Sequence, residues 1–194
     1  DTLILSTGAN PIHLEIPGEV ELTGRGVSYC ATCDGWFFKD KKVVVVGGGD
    51  SAFEEALFIT RYASSVTLIH RREEFRAEKI MIDKLMSRVK EGKISLALNQ
   101  TVDEVLGDAK GVTGVRTKST GKANEGAATK DLAVQGLFIA IGHKPNTDIF
   151  TGQLEMANGY IHTHGGNQGN ATATNIAGVF AAGDCTTVPY KQIV

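Results

Sequence analysis

Val43-Val44-Val45-Val46 running straight into Gly47-Gly48-Gly49-Asp50-Ser51-Ala52 constrains the fold of this chain more than any other stretch. Four consecutive β-branched residues suit a parallel strand covered on both faces. Glycines then stop the strand at once. Beyond them Ala52, Ala56, Ile59 and Ala63 recur at steps of four, three and four, which places them on one face of a helix, with Asp50 and Ser51 as expected cap residues. Val66, Leu68 and Ile69 restore an apolar strand pattern over 65–69, so the segment reads strand, helix, strand, a βαβ unit of an α/β protein. Helical spacing returns at Ile82, Leu85, Met86 and Val89 and stops at Gly92, predicting a second helix over 75–91. Short strands are predicted over 94–98, 102–106, 112–117 and 136–141, with the polar stretch 118–130 as a hairpin tip or exposed loop. The sequence is then loop-rich until Gly178 to Asp184, where a strand ends in a glycine and an acid.

A chain of 194 residues holds one large domain, or one domain with fragments, and is too short for two complete nucleotide-binding domains. Both ends read as cut: the chain opens on the strand-like Leu3-Ile4-Leu5 and closes in Tyr190-Lys191-Gln192-Ile193-Val194 as a helix begins, so an excised piece is expected. The net charge of -2, from 20 basic and 22 acidic residues, provides no field for nucleic acid or an anionic membrane. Apolar runs such as 43–46 and 137–141 fall well short of the roughly 20 residues a bilayer requires, and no membrane association is expected. Three cysteines do not make a secreted disulfide scaffold, and the opening Asp1 to Ser6 lacks the pattern of a secretory leader. The expected compartment is the reducing cytoplasm.

In that compartment Cys30-Ala31-Thr32-Cys33 is read as a redox pair: the sulfurs can close a small disulfide, and the partner thiol and local dipoles lower one thiol's pKa. Asp34 stands where a proton donor or acceptor for the exchange is wanted. The competing readings are half a zinc site, which lacks further ligands because Cys185 is alone, and a pair of buried thiols. His13, His143, His162 and His164 show no spacing that demands a metal and are read as structural or solvent-facing.

Gly47-x-Gly49-x-x-Ala52 fits the dinucleotide fingerprint, in which glycines let backbone N–H groups approach a pyrophosphate at a helix N-terminus. A ligand-free glycine turn has the same spacing. The following strand ends in His70-Arg71-Arg72, with Arg76 one turn on, where the fingerprint expects the residue that reads the ribose. Arginines in place of an acid pair with a 2′-phosphate, so NADPH is favoured over NADH; the alternative is a solvated basic patch.

Ser6-Thr7-Gly8-Ala9, Cys30 to Gly35, Gly47 to Ala52, His70-Arg71-Arg72, Phe75-Arg76-Ala77-Glu78, Gly142-His143-Lys144-Pro145-Asn146 and Gly178 to Asp184 together resemble the low-molecular-weight thioredoxin reductases of bacteria and plants, in order and spacing and along the whole chain. The resemblance implies a Rossmann-like NADPH-binding domain of three layers, parallel sheet plus β-meander, inserted in a partly present FAD-binding domain. Residues 11–141 would be the NADPH domain; 1–10 and 142–194 would be pieces of the FAD domain. It further implies a homodimer in which hydride passes from NADPH to FAD, electrons pass to the Cys30–Cys33 disulfide, and thioredoxin is reduced by exchange. Cys33 would face the flavin, Cys30 would attack thioredoxin and Asp34 would serve as acid and base. Gly47, Gly48, Gly49, Asp50, Ser51 and Ala52 would form the nucleotide loop, and His70, Arg71, Arg72 and Arg76 the 2′-phosphate site. Gly183 and Asp184 would bond the ribityl chain, and Gln192 would lie near the flavin ring, with Lys191 where the family usually has arginine. The family's first glycine fingerprint, for the ADP half of FAD, is not among these residues. Because disulfide and nicotinamide site share one domain, that domain is expected to swing, with hinges near 11–18 and 142–146. Two alternatives stand beside this reading: a flavoprotein subunit of the alkyl hydroperoxide reductase type, and a catalytically incomplete NADPH-binding fragment.

Overall fold

The computed structural model describes residues 1–120, 129–166 and 169–187. Gln192, Lys191, the helix expected near Tyr190 and most of the expected 118–130 tip lie outside the described residues. The chain divides into two compact units, Ile12–Gly142 and a second formed by Asp1–Pro11 with His143–Val194.

In chain order the first elements are β1 (Leu3–Leu5), β2 (Ala9–Pro11), β3 (Val27–Ser28), α1 (Ala31–Asp34), β4 (Lys42–Val46), α2 (Asp50–Ile59), β5 (Ser65–His70), α3 (Lys79–Lys90) and β6 (Ile94–Leu98). They are followed by β7 (Gln100–Asp108), β8 (Gly111–Ser119), β9 (Thr129–Leu132), β10 (Gly136–Ile139), β11 (His143–Pro145), β12 (Met156–Ala157), β13 (Tyr160–Ile161) and β14 (Val179–Ala181).

The Ile12–Gly142 unit is built on a parallel sheet of order β3-β10-β4-β5-β6. Alternate residues of its central strands serve opposite faces. Val43, Val45, Val66, Leu68 and Phe138 pack against Ala52, Phe53, Ala56 and Ile59 of α2 and Leu85 of α3. Val44, Val46, Ile69, Leu137 and Ile139 pack against Val102, Val105 and Val115 of the antiparallel meander β7-β8-β9. Two buried faces are why the strand is an unbroken valine run, each buried side chain contributing about 1.5–3 kcal/mol of transfer free energy. The result is the three-layer α/β arrangement, with helices on one side of the sheet and a meander on the other.

Three local expectations need correction. Ala63 does not share the helix of Ala52, Ala56 and Ile59, because α2 ends at Ile59 and the chain turns before Ala63. The second helix begins at Lys79, not at residue 75. Phe75 is instead inserted edge-on against Phe53 and beside the His70 ring, and the Arg76 N–H donates to Gly48 O at 2.9 Å, so tertiary contacts hold this segment out of helix. Asp50 and Ser51 do not cap α2, because Gly49 is its N-cap residue and provides no side-chain bond. The Asp50 carboxylate instead accepts the N–H of Glu78 at 2.8 Å, at the N-cap of α3.

In the second unit β1 and β14 pair in parallel, Leu3 to Leu5 beside Val179 to Ala181. β2 and β11 form an antiparallel ribbon, and β12 and β13 another. Its core is small, made of Leu5, Ile161, Ala181 and the buried, unbridged Cys185. Among the described residues no helix is long and apolar enough to cross a membrane.

Candidate functional site

The carboxyl ends of parallel strands are where an open α/β sheet leaves room for a ligand. In the Ile12–Gly142 unit the ends of β4, β5 and β10 surround a cavity of about 500 Å³. Gly47, Gly48, Gly49 and Ser51 line one wall, and His70, Arg71, Arg72 and Arg76 line another. Each glycine of the loop has its own reason to be one. A Cβ on Gly47, whose φ is +151°, would stand 2.4 Å from Ala140 O and 2.5 Å from the Cβ of Ala52. A Cβ on Gly48 would stand 2.2 Å from the His70 ring. Gly49 has nothing within 4 Å of that position. Gly47 and Ala52 therefore let α2 approach β4, Gly48 makes room for His70, and Gly49 leaves the start of α2 open.

An N-terminus without a side-chain cap keeps its first N–H groups available to an anion. Arg71, Arg72 and Arg76 are exposed, and none pairs with a carboxylate among the described residues. The cavity thus joins uncommitted guanidinium charge to an open helix start, a donor set suited to a ligand with several phosphates. His70 has a different position from the arginines. Its ring is buried, bonds Glu74 O at 3.0 Å through Nε2 and lies beside Phe75, so it braces the basic loop from beneath. Asp50 is occupied at Glu78, and Ala52 is fully buried. Gln100 and Thr101, absent from the sequence reading, also line the cavity. They start β7, and only the strand order β4-β5-β6 brings them near residue 47; no local motif marks them.

Cys30 and Cys33 form a disulfide, with Cα atoms 5.3 Å apart, at the start of α1. This loop follows β3, an edge strand of the same sheet. Cys33 is exposed and Cys30 half-buried. The Cys33 N–H donates to Cys30 Sγ at 3.2 Å, so a thiolate formed at Cys30 would find a donor already aimed at it. Ser28 ties the loop together: its hydroxyl donates to Asp34 Oδ2 at 2.7 Å and accepts the Cys30 N–H at 3.1 Å. Asp34 is thereby held half-buried within the turn that carries both sulfurs.

The flanks of the disulfide contain features that no sequence motif marks. Trp36 and Phe37 are 63% and 68% exposed, a large apolar surface just after Asp34-Gly35. Tyr29, next to Cys30, donates to the fully buried Glu19, which also accepts the Leu14 and Ile16 N–H groups. Burial, then the hydrogen bond to Glu19, push the Tyr29 hydroxyl up to about 12. Glu55 of α2 is a second, half-buried acid here. Burial raises its carboxyl to about 7, the Ala31 N–H opposes that rise, and Oε2 is buried without a hydrogen-bond partner.

In the second unit Gly183 and Asp184 follow β14, at the same end of the strand pair as the Thr7–Gly8 turn after β1. Gly183 has φ +82° with open space where a Cβ would stand, and Asp184 is half-buried. No cluster of three or more His, Cys, Asp or Glu residues that could hold a metal occurs among the described residues.

Residues 1–194 match the family model described as pyridine nucleotide-disulphide oxidoreductase. A thioredoxin reductase of Vibrio cholerae is 55% identical over 194 residues, covering all of this chain and 60% of that protein. A protein of Pseudomonas fluorescens named glucosaminate ammonia-lyase is 56% identical over the whole chain, which covers 59% of it. The solved thioredoxin reductase of Giardia duodenalis superposes with a TM-score of 0.84 at 40% identity, over 99% of this chain and 60% of that one. The chain therefore spans about 60% of the length of the relatives it matches. With a glycine- and arginine-lined cavity and a Cys30–Cys33 disulfide on one sheet, and a family match over its full length, the chain belongs to the pyridine nucleotide-disulphide oxidoreductases.

Proposed function

We propose that the protein containing this chain is a thioredoxin-disulfide reductase that uses NADPH and FAD. One observation carries the reading: the Cys30–Cys33 disulfide and the arginine-lined dinucleotide cavity are built on one sheet. The open start of α2 and the glycine loop would take the pyrophosphate of NADPH, and Arg71, Arg72 and Arg76 its 2′-phosphate. Gly183 and Asp184 fit the ribityl hydroxyls of FAD, and Gln192 is assigned near its ring. When bound, these two cofactors supply hydride and then the electron pair that opens the disulfide.

The exchange itself falls to this chain's residues. Cys30, as thiolate, attacks one sulfur of the substrate disulfide, forming a mixed disulfide and releasing the other substrate sulfur as a thiolate. Cys33 then attacks Cys30 Sγ, which re-forms the Cys30–Cys33 bond and releases the second substrate thiolate. The donor at Cys33 N supports Cys30 as the attacking sulfur. Asp34, held by Ser28, passes protons to the leaving thiolates. Exposed Trp36 and Phe37 give a protein substrate apolar area to bury beside the reacting sulfurs, as a thioredoxin would need and a small metabolite would not. Homodimer formation, a cytoplasmic location, a swing of residues 11–141 and the assignment of 1–10 and 142–194 to the FAD domain belong to the same proposal.

The relative named as an ammonia-lyase marks a second reading, elimination of ammonia from glucosaminate. Elimination needs no dithiol, so the disulfide favours the reductase. The test is to supply the full-length protein with oxidised thioredoxin and either NADPH or NADH, and separately with glucosaminate alone. NADPH-dependent appearance of thioredoxin thiols, with no ammonia from glucosaminate, is the expected outcome. Ammonia release without thioredoxin reduction overturns the proposal.

A further inference from the structure

The three arginines of the cavity are long and exposed, so their aim depends on the backbone that carries them. Residues 71–76 are neither strand nor helix, and no repeating backbone ladder fixes their path. They are pinned by separate bonds. Two come from the βαβ unit itself: Arg76 N–H to Gly48 O at 2.9 Å, and the His70 ring with Glu74 O at 3.0 Å. Two come from the meander. Thr120, just after β8, donates its hydroxyl to Arg71 O at 2.7 Å, and the Asn99 amide donates to Glu73 Oε1 at 2.9 Å.

Asn99 and Thr120 are also joined to each other, since Thr120 N–H donates to Asn99 O at 2.8 Å. Asn99 adopts φ +54°, a left-handed conformation that asparagine tolerates better than most residues and that turns β6 into β7. It also immediately precedes Gln100 and Thr101 of the cavity wall. The two side chains thus make a clasp that reaches from the meander to both ends of the Arg71–Glu73 stretch.

We propose that Asn99 and Thr120 are positioning residues for coenzyme selectivity: the clasp holds the arginine loop in the geometry that receives a 2′-phosphate. The inference rests on the reading of the arginines as the 2′-phosphate site. The Thr120 hydroxyl proton is committed to Arg71 O, and one N–H of the Asn99 amide to Glu73, so both side chains are engaged with the loop itself. Their effect passes through the loop. A guanidinium binds phosphate strongly only when its fork is aligned, so releasing the clasp lowers affinity for the 2′-phosphate and leaves the rest of the dinucleotide bound as before.

The test measures dissociation constants of NADPH and NADH for the full-length protein and three variants. Thr120→Val removes the hydroxyl and preserves the shape. Asn99→Gly removes the amide while permitting the left-handed φ, so strain is not confused with the lost bond. Thr120→Ser restores the hydroxyl. Thr120→Val and Asn99→Gly should each weaken NADPH by about threefold to tenfold, the effect of one lost hydrogen bond, with NADH changed less than about twofold. Thr120→Ser should behave as wild type, whereas in Thr120→Val and Asn99→Gly the KM for NADPH should rise while kcat stays constant. Equal weakening of both coenzymes, or an unchanged NADPH/NADH ratio in a protein whose Arg72→Ala variant loses that ratio, overturns the clasp and leaves the arginine reading standing. A wild-type protein with equal affinity for both coenzymes overturns the two together.

Discussion

The arginine-lined cavity and the Cys30–Cys33 turn grow from one sheet and are built in opposite ways. The cavity sits over its central strands, where the buried His70 ring leaves no room for a Cβ on Gly48 and braces the basic loop through Glu74 O. The disulfide follows a two-residue edge strand and rides on a four-residue helix, with Cys33, Trp36 and Phe37 facing outward. Under the proposed function, a coenzyme site over the central strands would gain from firm walls, and a sulfur that exchanges with another protein's disulfide would gain from an edge. Binding and exchange would then be divided between the middle and the margin of one sheet.

That division is open to attack by mutation. The largest expected effect belongs to the margin: in the full-length protein, Cys30→Ser or Cys33→Ser should lower thioredoxin reduction by about a thousandfold or more, since neither exchange step has a substitute sulfur, while NADPH affinity stays unchanged. A variant that lost coenzyme affinity as well would show that the regions are not separable. Glu55→Gln probes the ground between them, because Glu55 lies on α2 but meets the Ala31 N–H of α1. Its carboxyl titrates at about 7 when folded against an ordinary 4.5, chiefly through burial. The unfolded chain thus releases this proton first, and stability falls as pH rises from about 4.5 through about 7. The glutamine variant should match wild type near pH 4 and exceed it at pH 8 by up to about 3 kcal/mol in denaturant titrations.

Smaller effects fall on the cavity. Arg72→Ala should weaken NADPH by about 10- to 100-fold, the loss of a charge-assisted hydrogen bond, and leave NADH nearly unaffected in equilibrium titrations. Gly48→Ala forces a Cβ to 2.2 Å from the His70 ring, which is already held by Glu74 and Phe75. It should cost about 1–3 kcal/mol in thermal or denaturant unfolding, while the dithiol chemistry, measured at saturating NADPH, is preserved.

How much of this was legible depends on how local each signal is. The valine run, the Ala52–Ala56–Ile59 face and the strand at 94–98 are periodic within a few residues, and the structure shows them where the periodicity puts them. The helix expected from 75 was misplaced because its first turn is taken by long-range contacts: Phe75 against Phe53, and Arg76 against Gly48. Asp50 looked like a cap for its own helix and serves the next one instead. The arginines expected from the fingerprint line the cavity beside the glycine loop, but Asn99, Gln100 and Thr120 are distant in sequence and are brought to that place only by strand order. Glu55 has no signature at all, since a glutamate on a helix is ordinary until an α1 packs over it.

In the proposed reaction, electrons from a coenzyme held by the arginines reach the Cys30–Cys33 disulfide. The most direct test is differential alkylation of the full-length protein under anaerobic conditions, with the tryptic peptide carrying both cysteines followed by mass spectrometry. NADPH should convert Cys30 and Cys33 together from the disulfide to alkylatable thiols, and equimolar NADH should do so far less. A disulfide that stays closed in NADPH while thioredoxin is nevertheless reduced would contradict the account.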